Sequence, residues 1–387
     1  MDAIYLDNNA TTRPALEVID AVIAALREDW ANPSSVHRAG QAVRQKVELA
    51  REAVCGLLGC RDRELIFTSG ATESVNLAIA GSLHASGGRS VFVTSKLEHS
   101  AVRETAEALS ARGVEVVWLP NDAGGLIDRD SLRELLGRRG RDVAVVSIMW
   151  VNNETGVIQP IDQIGAICRE FGVRFHSDIT QGVGKLPIDL ASLPVDLASF
   201  SAHKFHGPKG VGGLYVGRGV RVQRQISGGP QERDRRGGTE NVPGIIGCGV
   251  AASLASAWLS TRQAPELEKM KDHFEQSVLG RVDACEINGR TSPRIWTTTN
   301  IGFDRLEAEA ILLLLSERGV FASAGAACSS GSLDPSPVLL AMGVRSTLAH
   351  GSIRFSMSRN TTQDELERAV DLVSDAVSRL RAAAKVA

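Results

Sequence analysis

A lysine set between histidine and aromatic residues is the feature of this 387-residue chain that most suits covalent chemistry. Lys204 stands in Ser199-Phe200-Ser201-Ala202-His203-Lys204-Phe205-His206-Gly207-Pro208-Lys209-Gly210, after the apolar run Val195 to Phe200. Pro208 and the glycines around it mark a turn or loop. A partly desolvated lysine with another potential cation beside it has a lowered pKa and can form a Schiff base with an aldehyde cofactor. A solvated lysine in a surface turn is the alternative, and a second segment weighs against it. His176-Ser177-Asp178-Ile179-Thr180-Gln181 follows the alternation Val173, Phe175 and puts an acid and an amide just past the end of a predicted strand. A pyridoxal phosphate (PLP) site needs such an acid, to keep the pyridinium nitrogen protonated so that the ring can act as an electron sink.

Other residues are candidates for the same site. Thr68-Ser69-Gly70-Ala71-Thr72-Glu73-Ser74 lies between Leu65-Ile66-Phe67 and the helical run Val75 to Ala80. It reads as strand, tight turn and helix N-terminus, where free amides, the helix dipole and the Thr72 hydroxyl suit an anion; an ordinary N-cap is the alternative. Arg354, in the alternating run Gly351 to Met357, carries a fork able to bind a carboxylate, or to make a structural ion pair. Cys328 is flanked by Ser323, Ala324, Gly325, Ala326, Ala327, Ser329, Ser330, Gly331 and Ser332. That composition gives a flexible exposed loop in which a thiol has little packing to do.

Together these segments resemble the fold-type I PLP enzymes of the class-V aminotransferase family, and specifically the cysteine desulfurases of the NifS/IscS type. The resemblance runs over nearly the whole chain. It includes Tyr5-Leu6-Asp7-Asn8-Asn9-Ala10-Thr11-Thr12, Asn32-Pro33-Ser34-Ser35-Val36-His37, Glu98-His99-Ser100-Ala101-Val102, Asn152-Asn153-Glu154-Thr155-Gly156, Gly237-Gly238-Thr239-Glu240-Asn241 and Ala327-Cys328-Ser329-Ser330-Gly331-Ser332. The longer cysteine loop matches the NifS-like group. Ala202 stands where a glycine is frequent, and Ala71 is one of several small residues seen at its place; neither hinders PLP.

The resemblance implies that Lys204 holds PLP and later takes the alpha proton of L-cysteine. Asp178 pairs with the ring nitrogen, and His99 stacks on the ring and moves protons. Ala71, Thr72, Ser201 and His203 hold the phosphate. Asn153 and Gln181 offer amide donors to the cofactor or substrate, and Arg354 takes the substrate carboxylate. Cys328 receives the sulfur as a persulfide, for transfer to an iron–sulfur scaffold or other acceptor, including a nitrogenase route. No resident metal is implied; the persulfide would meet a nascent cluster on a partner. The loop with Thr239 crosses a dimer boundary to the neighbour's phosphate, which implies a homodimer. Selenocysteine lysis or transamination is the rival within enzymes, although a transaminase has no use for Cys328. A non-catalytic sulfur relay would tolerate loss of Lys204 or Asp178, yet both are present. A nicotinamide-dependent oxidoreductase lacks its Gly-x-Gly-x-x-Gly turn.

The elements that must position these residues alternate. Strand-like runs at Val91–Thr94, Val114–Leu119, Val143–Val151, Val173–His176, Leu197–Phe200 and Val211–Val216 are interleaved with helical stretches. This predicts an α/β fold with a mostly parallel sheet, and a site outside the carboxyl ends of its strands. A helical stretch around Ala251–Met270, with a charged patch of Glu266, Glu268, Lys269 and Lys271, is expected to link two domains. The expected division is a large PLP-binding domain at 16–260, and a smaller α+β domain built from 1–15 with 261–387.

Composition sets the outer limits. Hydrophobic residues make up 43% and the net charge is −2, which favours a globular chain and neither nucleic-acid nor anionic-membrane binding. No continuous apolar run of membrane-spanning length and no basic leader stand out, so a cytoplasmic location is expected. Cys55, Cys60, Cys168, Cys248, Cys285 and Cys328 are scattered without a Cys-x-x-Cys pair, which suggests neither a zinc site nor a disulfide framework.

Overall fold

The structure, a computed structural model, describes residues 3–325 and 334–384. Its centre is a seven-stranded sheet. From one edge to the other the strands are Leu65–Thr68, Gly212–Val216, Leu197–Ser201, Arg174–Asp178, Val143–Ser147, Val91–Ser95 and Glu115–Leu119. Every pair is parallel except the two made by Gly212–Val216, which runs against both neighbours. Val143–Ser147 is buried throughout, because helices cover both faces and leave no solvent side for polar residues. Gly212 is required by close approach: a Cβ there would lie 2.4 Å from the Phe200 carbonyl oxygen.

Parallel strands present their carboxyl ends along one edge, and here those ends turn polar. Thr68, Ser95, Ser147, Asp178 and Ser201 are the last residues of their strands. Asp178 therefore closes its strand rather than following it. The predicted strand Val143–Val151 stops at Ser147. Beyond it, Ile148 N–H and Trp150 N–H still bond the carbonyls of His176 and Asp178, but the chain then turns to build the site edge.

Around this sheet lies the larger core, which includes Val54, Phe175, Phe200 and Ala252. A second core gathers Ile4 and Leu6 with Phe274, Phe303, Phe355 and Val373. It surrounds the antiparallel sheet Ser352–Ser356, Thr298–Phe303 and Cys285–Ile287. Val338, Leu339, Met342 and Ala349, although late in the chain, pack into the larger core.

The stretch expected as one helix around Ala251–Met270 is two, Val242–Ser260 and Ala264–Arg281. Arg262, at φ +56°, breaks the run between them. Within the charged patch Lys271 is buried, with Asp272 as an ion-pair partner at 3.5 Å. Val242–Ser260 does have the length and hydropathy of a membrane span, contrary to the expectation from the sequence. Half of it is buried, and it packs on the helices Leu16–Glu28 and Arg38–Leu58.

Candidate active site

The carboxyl edge of the sheet opens into a cavity of about 830 Å³. Lys204 reaches it from a single 3-10 turn, Ala202–Lys204, directly after the strand Leu197–Ser201. The N-terminal segment fixes that turn. Thr12 N–H and its hydroxyl both donate to the His203 carbonyl at 2.9 Å, and His206 N–H donates to the Thr12 hydroxyl at 2.7 Å. Lys204 Nζ donates to the carbonyls of Asn9 at 2.6 Å and Ala10 at 2.8 Å. The turn places His203 beside Lys204, with its Nδ1 3.1 Å from the Thr11 hydroxyl. Burial and the charges of Lys204, Lys209 and Lys185 push His203 down to about 4. It is neutral at pH 7, so the cation that accompanies Lys204 is not this histidine.

A second amine bonded to Asn9 is Lys185, which the sequence did not single out; burial, then the charges of Lys204 and Arg354, push it down to about 7. Turn bonds from Val183 N–H to Ile179 O and from Leu186 N–H to Gly182 O put Gln181 and Lys185 one above the other, as four-residue spacing does in a helix. Lys185 Nζ donates to Gln181 Oε1 at 2.6 Å and to Asn9 Oδ1 at 3.2 Å. Asn9 is the hub of the site. Its carbonyl accepts from Gln181 Nε2 at 3.0 Å as well as from Lys204, and its amide nitrogen donates to Asn153 O and Thr298 Oγ1.

Acid and imidazole stand on the same edge. Asp178 is buried and lines the cavity; its Oδ1 accepts from Thr180 N–H at 3.0 Å. His99 caps the helix Ser100–Ser110 by accepting Ala101 N–H at Nδ1. In the neutral ring the proton therefore sits on Nε2. Glu98, also lining the cavity, accepts Met149 N–H with Oε1 at 2.8 Å, and its Oε2 is buried without a partner among the described residues. Burial raises its pKa well above the usual carboxylate range, with Asp178 adding to the rise. Neither Glu98 nor Asn9 carries a signal in the sequence beyond belonging to a polar motif.

An anion cradle lies at the helix Ala71–His84. Its N-cap is Gly70, which has no side chain to bond the first-turn amides, so among the described residues these remain as donors. Ser201 Oγ lies 3.5 Å from where a Cβ on Gly70 would sit, which brings that hydroxyl to the same helix end. On the opposite wall, Arg354 is buried and held by Asp7 Oδ1 at 2.7 Å and the Asn153 carbonyl at 3.1 Å. Its structural ion pair is thus real, but its Nε and the Asn153 Oδ1 are buried without partners among the described residues.

Ala71, Thr72, His99, Asn153, Asp178, Gln181, Ser201, His203, Lys204 and Arg354 all line this one cavity. Thr239 does not. It is exposed, in a cleft of about 120 Å³ that shares Ser69 and Gly210 with the main cavity. Cys328 lies outside the described residues, and Gly325, just before them, lines the cavity. The donor set fits one kind of ligand. It has an amine for an aldehyde, a carboxylate for a basic ring nitrogen, an uncapped helix end for an anion, and unpaired donor and acceptor atoms for an amino acid.

Comparison with known proteins agrees with that chemistry. The family profile "Aminotransferase class-V" matches residues 4–369. A cysteine desulfurase of Trichormus azollae is 44% identical over 99% of this chain and 94% of its own length. A solved NifS-like protein superposes with a TM-score of 0.89 at 36% identity, covering 97% of this chain and 99% of that one. Another solved protein, SspA in complex with cysteine, gives 0.78 at 34% identity over 91% and 98%. The chain belongs to the class-V aminotransferase family, in its cysteine desulfurase branch.

Proposed function

We propose that this protein is a PLP-dependent cysteine desulfurase. The observation that carries the proposal is that Lys204, Asp178, His99 and Arg354, far apart in sequence, line one cavity. PLP held by Lys204 supplies an electron sink for charge left on the substrate alpha carbon. Asp178 keeps the ring nitrogen protonated. The amides of Ala71 and Thr72, with Ser201 and the neutral His203, hold the phosphate. Gln181 and Asn153 donate to the ring oxygen or the substrate. Arg354 orients the substrate carboxylate, for which its Nε, without a partner among the described residues, is a ready donor. Lys204 Nζ would take the alpha proton, and His99 Nε2 would relay protons.

Cys328 completes the reaction. Its thiolate attacks the substrate sulfur, the carbon–sulfur bond breaks, and the carbon takes up a proton. L-cysteine and the Cys328 thiol thus become L-alanine and a Cys328 persulfide, with no external oxidant or reductant. An iron–sulfur scaffold or another acceptor protein then takes the sulfur, in the cytoplasm.

A homodimer is part of the proposal. The helix Leu16–Glu28 exposes Leu16, Ile19, Ile23 and Leu26, and Trp30 beyond it is 81% exposed. Such a stripe suits a covering partner. Thr239, exposed and outside the cavity of its own chain, would serve the partner's phosphate. The test is alanine formation from L-cysteine, matched by sulfide release with a thiol reductant. Equal amounts of both, lost in Lys204→Ala, support the proposal; sulfide without alanine overturns it.

A further inference from the structure

Two segments from opposite sides of Cys328 in the sequence meet at one buried carboxylate. Glu154 lines the cavity, and its Oε2 accepts the Ser336 hydroxyl at 2.5 Å. The same oxygen lies 3.0 Å from where a Cβ on Gly325 would sit, and Gly325 has φ +86°. Glycine is required there twice over, because a side chain would strain the backbone and press on the carboxylate. The approach to Gly325 is itself held. Ser323 and Arg354 exchange two main-chain bonds, and Gly325 N–H donates to Ser323 Oγ at 3.3 Å.

We propose that Glu154 is a positioning residue for sulfur transfer: its carboxylate clasps Gly325 and Ser336 at the cavity and so fixes the two anchor points between which Cys328 is carried.

Donor chemistry sets the sense of the clasp. A hydroxyl has one proton and two lone pairs. Val338 N–H at 3.2 Å and Leu339 N–H at 3.3 Å donate to Ser336 Oγ, so the Ser336 proton goes to Glu154, and Oε2 is the acceptor. Glu154 is fixed from behind as well. Its N–H donates to Asn152 Oδ1 at 2.9 Å, and its carbonyl accepts Asn300 Nδ2 at 3.3 Å. Burial raises its pKa, while the Ser336 bond and the Arg354 charge act against that rise. Covalent reach supplies the consequence. Cys328 is the third residue after Gly325, and three residues span at most about 11 Å. Where Gly325 is held therefore limits where the thiol can go. Releasing it lowers the effective concentration of thiol at the substrate sulfur.

This inference rests on the reading that Cys328 accepts the sulfur. Two measurements on the full chain separate them. Hydrogen exchange with residue-level mass spectrometry reads the clasp itself. In Glu154→Ala the amides of Gly325, Val338 and Leu339 should all exchange faster, by at least about tenfold, as loss of one hydrogen bond to a charged group allows. Glu154→Gln, whose amide oxygen still accepts from Ser336, should keep the wild-type exchange. A single turnover of the PLP-loaded chain reads the consequence. Glu154→Ala should give the cofactor absorbance change at L-cysteine concentrations within about threefold of wild type, yet form Cys328 persulfide and alanine at least about tenfold more slowly. Glu154→Gln should recover the rate. If Glu154→Ala does not fold, Ser336→Ala, which removes the same bond, should speed exchange at Gly325 and slow transfer in the same way. Exchange that changes at one anchor point alone, or persulfide formed at the wild-type rate, overturns the inference. A wild type that forms alanine with no sulfur on Cys328 would remove the desulfurase reading, and the exchange result would still decide the clasp.

Discussion

Glu232→Ala tests how the loop bearing Thr239 is held. Glu232, Arg233 and Asp234 have φ of +46°, +58° and +64°, a left-handed run that side-chain-bearing residues adopt only under constraint. The constraint is visible. Glu232 accepts from Arg51 Nη1 at 2.9 Å and Nη2 at 2.8 Å, and from Phe67 N–H at 2.9 Å. Both side chains are under 5% exposed. The Arg51 guanidinium also stacks over the Phe67 ring at 4.7 Å. Removing the carboxylate leaves Arg51 buried with the Leu65 carbonyl and a long contact to Glu48 at 3.3 Å. Breaking one side of such a buried pair costs about 3–5 kcal/mol. Because the strained run loses its anchor, Thr239 should also lose its place, and PLP affinity should fall with stability. Urea unfolding at fixed protein concentration measures the first effect, and PLP titration of the cofactor-free chain the second. Replacing both partners, Arg51→Met with Glu232→Met, should cost clearly less than Glu232→Ala alone, since no charge is left behind. A Glu232→Ala chain within 1 kcal/mol of the wild type, or a double variant worse than the single, would refute the reasoning.

His176 is buried between the hydroxyls of Ser147 and Ser199, each 2.8 Å away, and burial pushes it down to about 4. Its folded value lies below the unfolded one, so its contribution is complete above about pH 6.5 and is lost as pH falls towards 4. The stability gap between wild type and His176→Gln should shrink by about 3 kcal/mol over that window; a constant gap in urea titrations would count against it. Asp178→Ala should weaken PLP binding and slow alpha-proton exchange of the substrate, read by absorbance and by deuterium wash-in, and full activity would remove its role. Mixed dimers of Thr239→Ala and Lys204→Ala should hold one intact site if Thr239 acts across the boundary. Activity above both parent homodimers is then expected, and its absence would return Thr239 to its own subunit.

Local signals were legible where the chemistry sits within one segment. The strand Leu65–Thr68, its turn and the uncapped helix at Ala71 follow directly from apolar spacing and Gly70. Lys204, Asp178 and Arg354 stand out because each is a charged residue at the end of, or within, an apolar run. Asn9 and Lys185 were hidden for the opposite reason. Their roles arise from contacts across more than 170 positions, which no local pattern encodes. The break at Thr261–Gln263 and the burial of Lys271 were missed because helical propensity continues through both and tertiary packing decides them. The reversed strand Gly212–Val216 carries the same apolar pattern in either direction, so only the sheet around it fixes its sense.

The central claim is that substrate sulfur passes to Cys328. The direct measurement is a single turnover with sulfur-labelled L-cysteine, quenched by alkylation, with the persulfide mapped by peptide mass spectrometry in wild type and Cys328→Ser. Among the described cysteines, Cys168 and Cys248 are poor candidates. Burial pushes the thiols of Cys168 and Cys248 up, Cys248 to about 12, and both are fully buried. A thiolate is the sulfur nucleophile. The account predicts label on Cys328 in amounts matching alanine formed, and in Cys328→Ser neither persulfide nor turnover while PLP remains bound. Label mainly on another cysteine, or Cys328→Ser producing alanine at the wild-type rate, would contradict it.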